Sequence, residues 1–227
     1  MIAPVKTLRK KDIEWLAAHK CKHSHTYLAH YQCWITEQPQ DCPFVEKVGY
    51  FDIETTDLTA NYGYMQSYAI KVGGEDTILG RHLTPKEVKS FKFDKDLIQE
   101  CSDDLRKFHR IIVYYGTDYR FDLPFVRTRS LKYGVDFPLY KDVFTQDAYS
   151  VVKAKLRLAK NSLWSACSFL EIPSKGHWLT ADVRMRSFTG DLKSLEYIWT
   201  HNLEDVYSLE ALWEKLDLYV TKGRRSL

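Results

Sequence analysis

Tyr50-Phe51-Asp52-Ile53-Glu54-Thr55-Thr56 sets two carboxylates two positions apart inside a run of β-branched and aromatic residues. A strand alternates its side chains between faces, so Asp52 and Glu54 project side by side from one face of one strand. Like charges held that close repel each other. A divalent cation offsets the repulsion, and hard Mg2+ or Mn2+ takes oxygen ligands of this kind.

Around this stretch the pattern is that of an α/β domain. Residues 45–56 are expected to form the first strand, residues 64–72 (between Gly63 and the Gly73-Gly74 turn) a second, and residues 76–83 a third, making an antiparallel meander. Apolar spacing at Leu97, Ile98, Cys101, Leu105 and Phe108 predicts a helix over 94–108, with Asp94 as a candidate N-cap, leading into a strand at 111–115. A helix over 121–133 follows the Gly116-Thr117-Asp118 turn, carries Pro124 in its first turn and stops at Gly134. Residues 143–149 read as a strand or strand end, 162–170 as a helix closed by Pro173, and 191–220 as mainly helical. The least determined part is 174–186, whose Lys175-Gly176-His177-Trp178 is a candidate mobile loop over a site. Hairpins thus give way to β-α-β units, and the expected fold is α/β, a mixed central sheet flanked by helices.

At 227 residues the chain suits one large domain, 45–227, preceded by an N-terminal extension, 1–44, in which Asp12 caps a short helix over 12–18. Hydrophobic residues make up 44% and aromatic residues 14%, as in a globular core, and no apolar run approaches the roughly 18 residues of a membrane span. The N-terminus lacks the apolar core of a secretory signal, so a soluble, cytoplasmic protein with no membrane partner is expected. The five cysteines are an odd number, and reduced thiols are expected rather than a disulfide scaffold. A net charge of +3 does not establish a nucleic-acid partner, but its distribution is suggestive. Basic residues gather at Arg120, Arg127, Arg129 and Lys132, at Lys153, Lys155, Arg157 and Lys160, and at Lys222, Arg224 and Arg225, around an acidic island of Asp52, Glu54 and Asp57. Such a layout suits an enzyme that binds phosphates at its rim and metals at its middle; ordinary solvated charge is the other reading of any one cluster.

Three segments line up in order: Phe51-Asp52-Ile53-Glu54-Thr55-Thr56, Tyr119-Arg120-Phe121-Asp122-Leu123-Pro124-Phe125 and His201-Asn202-Leu203-Glu204-Asp205-Val206. Together they resemble the motifs of the DEDD superfamily of ribonuclease H-like 3'-to-5' exonucleases (DnaQ-like), with two acids on the first strand, one near a helix start and one on a late helix. The resemblance covers roughly 45–216. Within it, Asp147-Ala148-Tyr149 through Leu170-Glu171-Ile172-Pro173 resembles the branch typified by the YprB-like domain. An Asp-x-Glu alone is weak; the three segments at these separations are specific, and acids in such apolar surroundings are seldom mere solubilisers.

The resemblance implies a ribonuclease H-like fold and metal ligation by Asp52, Glu54, Asp122 and Asp205, with Asp52 bridging. Four converging acids would hold two divalent cations about 4 Å apart, Mg2+ or Mn2+, one helping to generate the nucleophile and one stabilising the departing 3'-oxygen. In the third segment the residue four before Asp205 is His201, where some family members place tyrosine. Positions four apart share a helix face, so His201 is a candidate general base beside Asp205. A surface or substrate-contacting histidine is the alternative, with Tyr197 as the fallback. Asp147 is either functional or a local brace. The lysine-rich run at 153–160 either contacts phosphates or is solvated, and Tyr64, Tyr119 and Trp178 either stack on bases or pack.

Cys21-Lys22-His23-Ser24-His25, then His30, Cys33 and Cys42, place six potential soft ligands in 22 residues. Structural Zn2+, simple packing and a partner-binding role are all open, since the spacing matches no standard zinc-finger pattern.

The expected activity is therefore metal-dependent hydrolysis of phosphodiester bonds, foremost as a 3'-to-5' exonuclease on single-stranded ends of DNA or RNA. The rivals are a structure-selective or RNA-directed endonuclease using the same acids, and a nucleic-acid-binding module whose nuclease site has decayed.

Overall fold

The quoted stretch forms β1 (Val48–Thr55), the middle strand of a five-stranded sheet. Its neighbours are β2 (Met65–Val72), antiparallel to it, and β4 (Arg110–Val113), parallel to it. The antiparallel β3 (Ile78–His82) lies outside β2 and the parallel β5 (Phe144–Asp147) outside β4, giving the order β3-β2-β1-β4-β5. This is the mixed α/β sheet of a ribonuclease H-like fold, with a meander on one side of β1 and crossovers on the other. The computed structural model describes residues 10–37, 46–117, 120–139, 142–173, 176 and 178–220.

Alternation along β1 divides the core. Phe51 and Ile53 enter a cluster with Leu97, Ile98, Cys101 and Leu105 of α4 (Lys95–Leu105) and Phe125 and Val126 of α5 (Asp122–Tyr133). Tyr50 enters another with Ala148 and Val152 of α6 (Ala148–Lys155), Ala166 and Cys167 of α7 (Leu163–Phe169), and Val206, Leu209, Leu212 and Trp213 of α9 (Leu192–Leu216). Asp52 and Glu54 share the parity of Tyr50, so period-two geometry aims them at the α9 side. Pairing between β1 and β2 slips after Glu54, where Glu54 opposes Ser67 but Thr55 opposes Met65. Such an irregularity bends a strand locally and re-aims its side chains.

Two short helices, α3 (Pro85–Lys89) and α8 (Ala181–Ser187), lie where no helix was anticipated, and α6 follows directly on a segment read as a strand or strand end. Asp94 stands at the head of α4 but does not cap it. Its carboxylate instead accepts from the Met65 amide at 2.8 Å, pairs with the Arg129 guanidinium, and accepts from the Tyr133 hydroxyl at 2.7 Å. Gly134 ends α5 in the left-handed conformation, φ 67°, as the stop at that glycine required. The long last helix closes with a 3-10 turn at Asp217–Tyr219.

By its contacts the chain divides into two compact units, Met1–Lys47 and Val48–Leu227. In the first, α1 (Lys10–Ala18) starts ahead of Asp12, which therefore lies within the helix rather than capping it, and α2 (Tyr31–Glu37) follows a tight turn. Among the described residues no helix is long and apolar enough to cross a membrane.

Candidate active site

The first acids come from β1, whose central position shields them from most of the solvent. Helix α9 crosses their face. Asp191 caps it, accepting from the Ser194 amide at 2.9 Å, and its buried side chains recur at Ile198, His201, Asn202, Asp205, Val206 and Leu209, a helical stripe laid on the sheet. That stripe sets His201 Nε2 3.4 Å from Glu54 Oε1 and 4.0 Å from Asp205 Oδ2. One ligand atom from each of Glu54, His201 and Asp205 lies within 4.8 Å of the others. Asn202, the next residue along, donates from Nδ2 to Asp52 Oδ2 at 2.6 Å. Asp52 is thus tied to α9 beside the close group rather than within it.

The third acid arrives from the loop after β4. Asp122 opens α5 and is buried, 3% exposed. Burial pushes its carboxyl well above the usual aspartate range, and the charges of Glu54 and Asp147 push in the same direction, whereas the Ile53 backbone opposes them. Glycine at position 116 makes room for it, because a Cβ there would stand 2.2 Å from Asp122 Oδ2. The Leu123 amide donates to the Gly116 carbonyl at 2.9 Å and locks this approach.

Asp147 braces the same loop. It caps α6 through the Tyr149 amide at 3.0 Å, and accepts from the Tyr115 amide at 2.9 Å, the Thr117 hydroxyl at 3.0 Å and Arg120 Nη1 at 2.7 Å. Arg120 also lies over the rings of Tyr115, at 5.2 Å, and Tyr149, at 4.7 Å. Tyr114, Tyr115 and Tyr149, with Asn161, Ser162 and Leu163, line a cleft of about 470 Å³.

This arrangement revises the charge map read from sequence. Arg120 is engaged with Asp147, and Arg129 is buried against Asp94, so neither belongs to an open phosphate rim. Arg127, Lys132, Lys153, Lys155, Arg157 and Lys160 are exposed. Asp57 of the acidic island accepts from the Thr59 amide at 2.7 Å, within its own turn. The Tyr197 hydroxyl donates to the Trp178 carbonyl at 3.3 Å, and Trp178 packs edge-on against Trp164. Tyr119, His177, Lys175 and the basic residues at 222–225 lie outside the described residues.

The donor set fits the divalent cations that the fold implies: carboxylates from three separate elements around one locality, with a glycine cradle for the most buried of them. Sequence reading passed over Asn202 and Gly116. Both stood inside segments already singled out, but nothing local marks an asparagine amide as the partner of an aspartate 150 positions away.

A protein-family model described as RNase_H superfamily matches residues 49–217. No curated protein matches the chain.

Proposed function

The chain belongs to the ribonuclease H superfamily, and from that membership we propose that it is a metal-dependent nuclease of the DEDD type, akin to the YprB-like branch, acting as a 3'-to-5' exonuclease on single-stranded DNA or RNA. The observation that supports this most is the gathering of Glu54, His201 and Asp205 within 4.8 Å, beside the buried carboxyl of Asp122.

Held by Asp52, Glu54, Asp122 and Asp205, two Mg2+ or Mn2+ ions would neutralise the scissile phosphate and acidify a water at the site. His201 serves as general base at Nε2, where the nearby carboxylates of Glu54 and Asp205 stabilise the imidazolium formed. Asn202 holds Asp52 in one orientation, so the carboxylate needs no reorganisation during the reaction. Asp147 and Arg120 keep the β4–α5 loop, and with it Asp122, in place. The exposed cations at 153–160 suit the phosphate backbone of an entering strand, and the rings of Tyr115 and Tyr149 suit stacking on an unpaired base.

End-labelled single strands, duplexes and DNA–RNA hybrids incubated with Mg2+, Mn2+ or EDTA test this reading. The expected result is stepwise release of mononucleotides from the 3' end, lost in EDTA and in Asp205→Asn. Internal fragments from a circular strand would make the protein an endonuclease with the same site. Binding without cleavage in every arm would make it a nucleic-acid-binding module.

A further inference from the structure

The N-terminal unit holds a second cluster of a different chemistry, which the nuclease reading does not use. Cys21 Sγ lies 3.6 Å from His30 Nδ1, Cys33 Sγ lies 3.4 Å from the same nitrogen, and His23 Nδ1 lies 3.2 Å from Cys33 Sγ. All four ligand atoms fall within 4.8 Å of one another. In a tetrahedral zinc site, Zn–S of about 2.3 Å and Zn–N of about 2.0 Å put neighbouring sulfur and nitrogen ligands about 3.5 Å apart. Three of the four sulfur–nitrogen edges here match that length.

The backbone is built to present these atoms. The Cys21 amide donates to the His25 carbonyl at 2.8 Å and the Ser24 amide to the Cys21 carbonyl at 2.8 Å, with Ser24 at φ 65°. This knuckle turns Cys21 and His23 to one side. His30 precedes α2 and Cys33 lies in its first turn, so the second ligand pair has helical i, i+3 spacing. The Tyr27 hydroxyl and the Lys22 amide both donate to Glu37 Oε2, tying the far end of α2 back to the knuckle. His25 packs edge-on against His30, rings 5.2 Å apart, and so supports a ligand rather than being one.

Energetics supply a separate reason. The buried cluster of this unit, among the described residues, is Leu16, Tyr27 and Trp34 together with Cys21 and Cys33 themselves. A core of that size does not offset the chain entropy of ordering two short helices, and modules this small usually rely on a metal or a disulfide.

We propose that Cys21, His23, His30 and Cys33 bind one structural Zn2+ ion that holds the N-terminal unit folded. Cys and His are soft ligands suited to zinc, in contrast to the all-oxygen set of acids in the other unit, so the two sites select different metals. The ion joins the knuckle to α2, and its binding energy becomes folding energy for this unit.

The test uses the full chain purified without chelator. Elemental analysis is expected to give one zinc per chain, retained in Asp205→Asn and His25→Ala and reduced below about a tenth in Cys33→Ser and His30→Ala, as for loss of a first ligand. Replacement of the metal of the wild-type protein by Co2+ gives an independent readout that needs no folded variant. Tetrahedral cobalt bands with thiolate charge transfer are expected, which the acid cluster cannot produce because it contains no sulfur. A wild-type protein without zinc and without that charge transfer, a disulfide joining Cys21 to Cys33, or zinc content indifferent to Cys33→Ser would overturn the proposal.

Discussion

Asn202 donates to Asp52 across 2.6 Å, while the residue before it, His201, reaches Glu54 at 3.4 Å. Two neighbouring positions on α9 therefore each hold one of the two carboxylates that β1 presents side by side. The helix positions the strand's acids, and a change in the amide should be felt at the acids without loss of the fold. Asn202→Ala is expected to lower cleavage about 10- to 100-fold, the usual cost of losing a partner that orients a ligand. The metal concentration for half-maximal activity should rise with it. Unchanged activity and unchanged metal dependence would remove Asn202 from the site.

Gly116 faces a sharper constraint. A methyl group there would meet Asp122 Oδ2 at 2.2 Å and Val113 Cβ at 2.9 Å, and the carboxylate is what must move. Gly116→Ala is expected to destabilise the protein by about 1–3 kcal/mol through overpacking. The loss of activity should be larger in proportion, on the order of 100-fold for a ligand displaced by an ångström. Melting curves and cleavage assays on the same preparation separate the two effects.

Asp94 matters to stability rather than chemistry. It is fully buried and holds the Arg129 guanidinium, itself 3% exposed, together with the Met65 amide. Asp94→Ala leaves a buried cation and a buried donor without their acceptor, at a cost of about 3–5 kcal/mol. Urea unfolding measures this. Combining Asp94→Leu with Arg129→Met should recover the share of the loss due to the unpaired cation, while the Met65 amide still lacks its acceptor.

Glu87 gives a pH dependence. Its partial burial raises the carboxyl, but the Thr84 amide, at 2.7 Å, and the Arg81 guanidinium, at 3.0 Å, outweigh this and hold it below the ordinary glutamate value of 4.5. A folded-state value below the unfolded one contributes stability that is present above 4.5 and lost as pH falls through the depressed value. Glu87→Gln should therefore melt lower than wild type at neutral pH. The gap should close as the pH is taken down through and below 4.5. A gap that stays constant with pH would mean that the ionised form contributes nothing.

Several of these features carried a signal in the chain. Thr84-Pro85-Lys86-Glu87 is a capping box with proline at the first helical position, and the structure starts α3 there. Thr180 likewise caps α8, accepting from the Val183 amide at 3.3 Å. Helix α6 escaped notice because Asp147 is at once the last residue of a strand and the cap of a helix, leaving no loop to mark the change of period. Asp94 was misassigned for a physical reason. An acid before an apolar repeat has the local signature of a cap, and only the arrival of Arg129 and the Met65 amide from other elements gives it a better partner.

The existence of the strands around β1, the placing of Asp52 and Glu54 on one face of β1, and the alignment of His201 with Asp205 on one face of α9 follow from periods of two and 3.6 along the chain. Those periods are local properties, and the amino-acid order by itself carries them. Tertiary structure decided that the strands take the order β3-β2-β1-β4-β5, that Asn202 binds Asp52, that Gly116 admits Asp122, that Arg120 and Arg129 are consumed by internal acids, and that Cys21, His23, His30 and Cys33 gather within 4.8 Å, Cys42 lying outside the described residues. Each of these pairs groups from different elements. Their distances are set by how helices and strands pack against one another, which no local repeat along the backbone encodes.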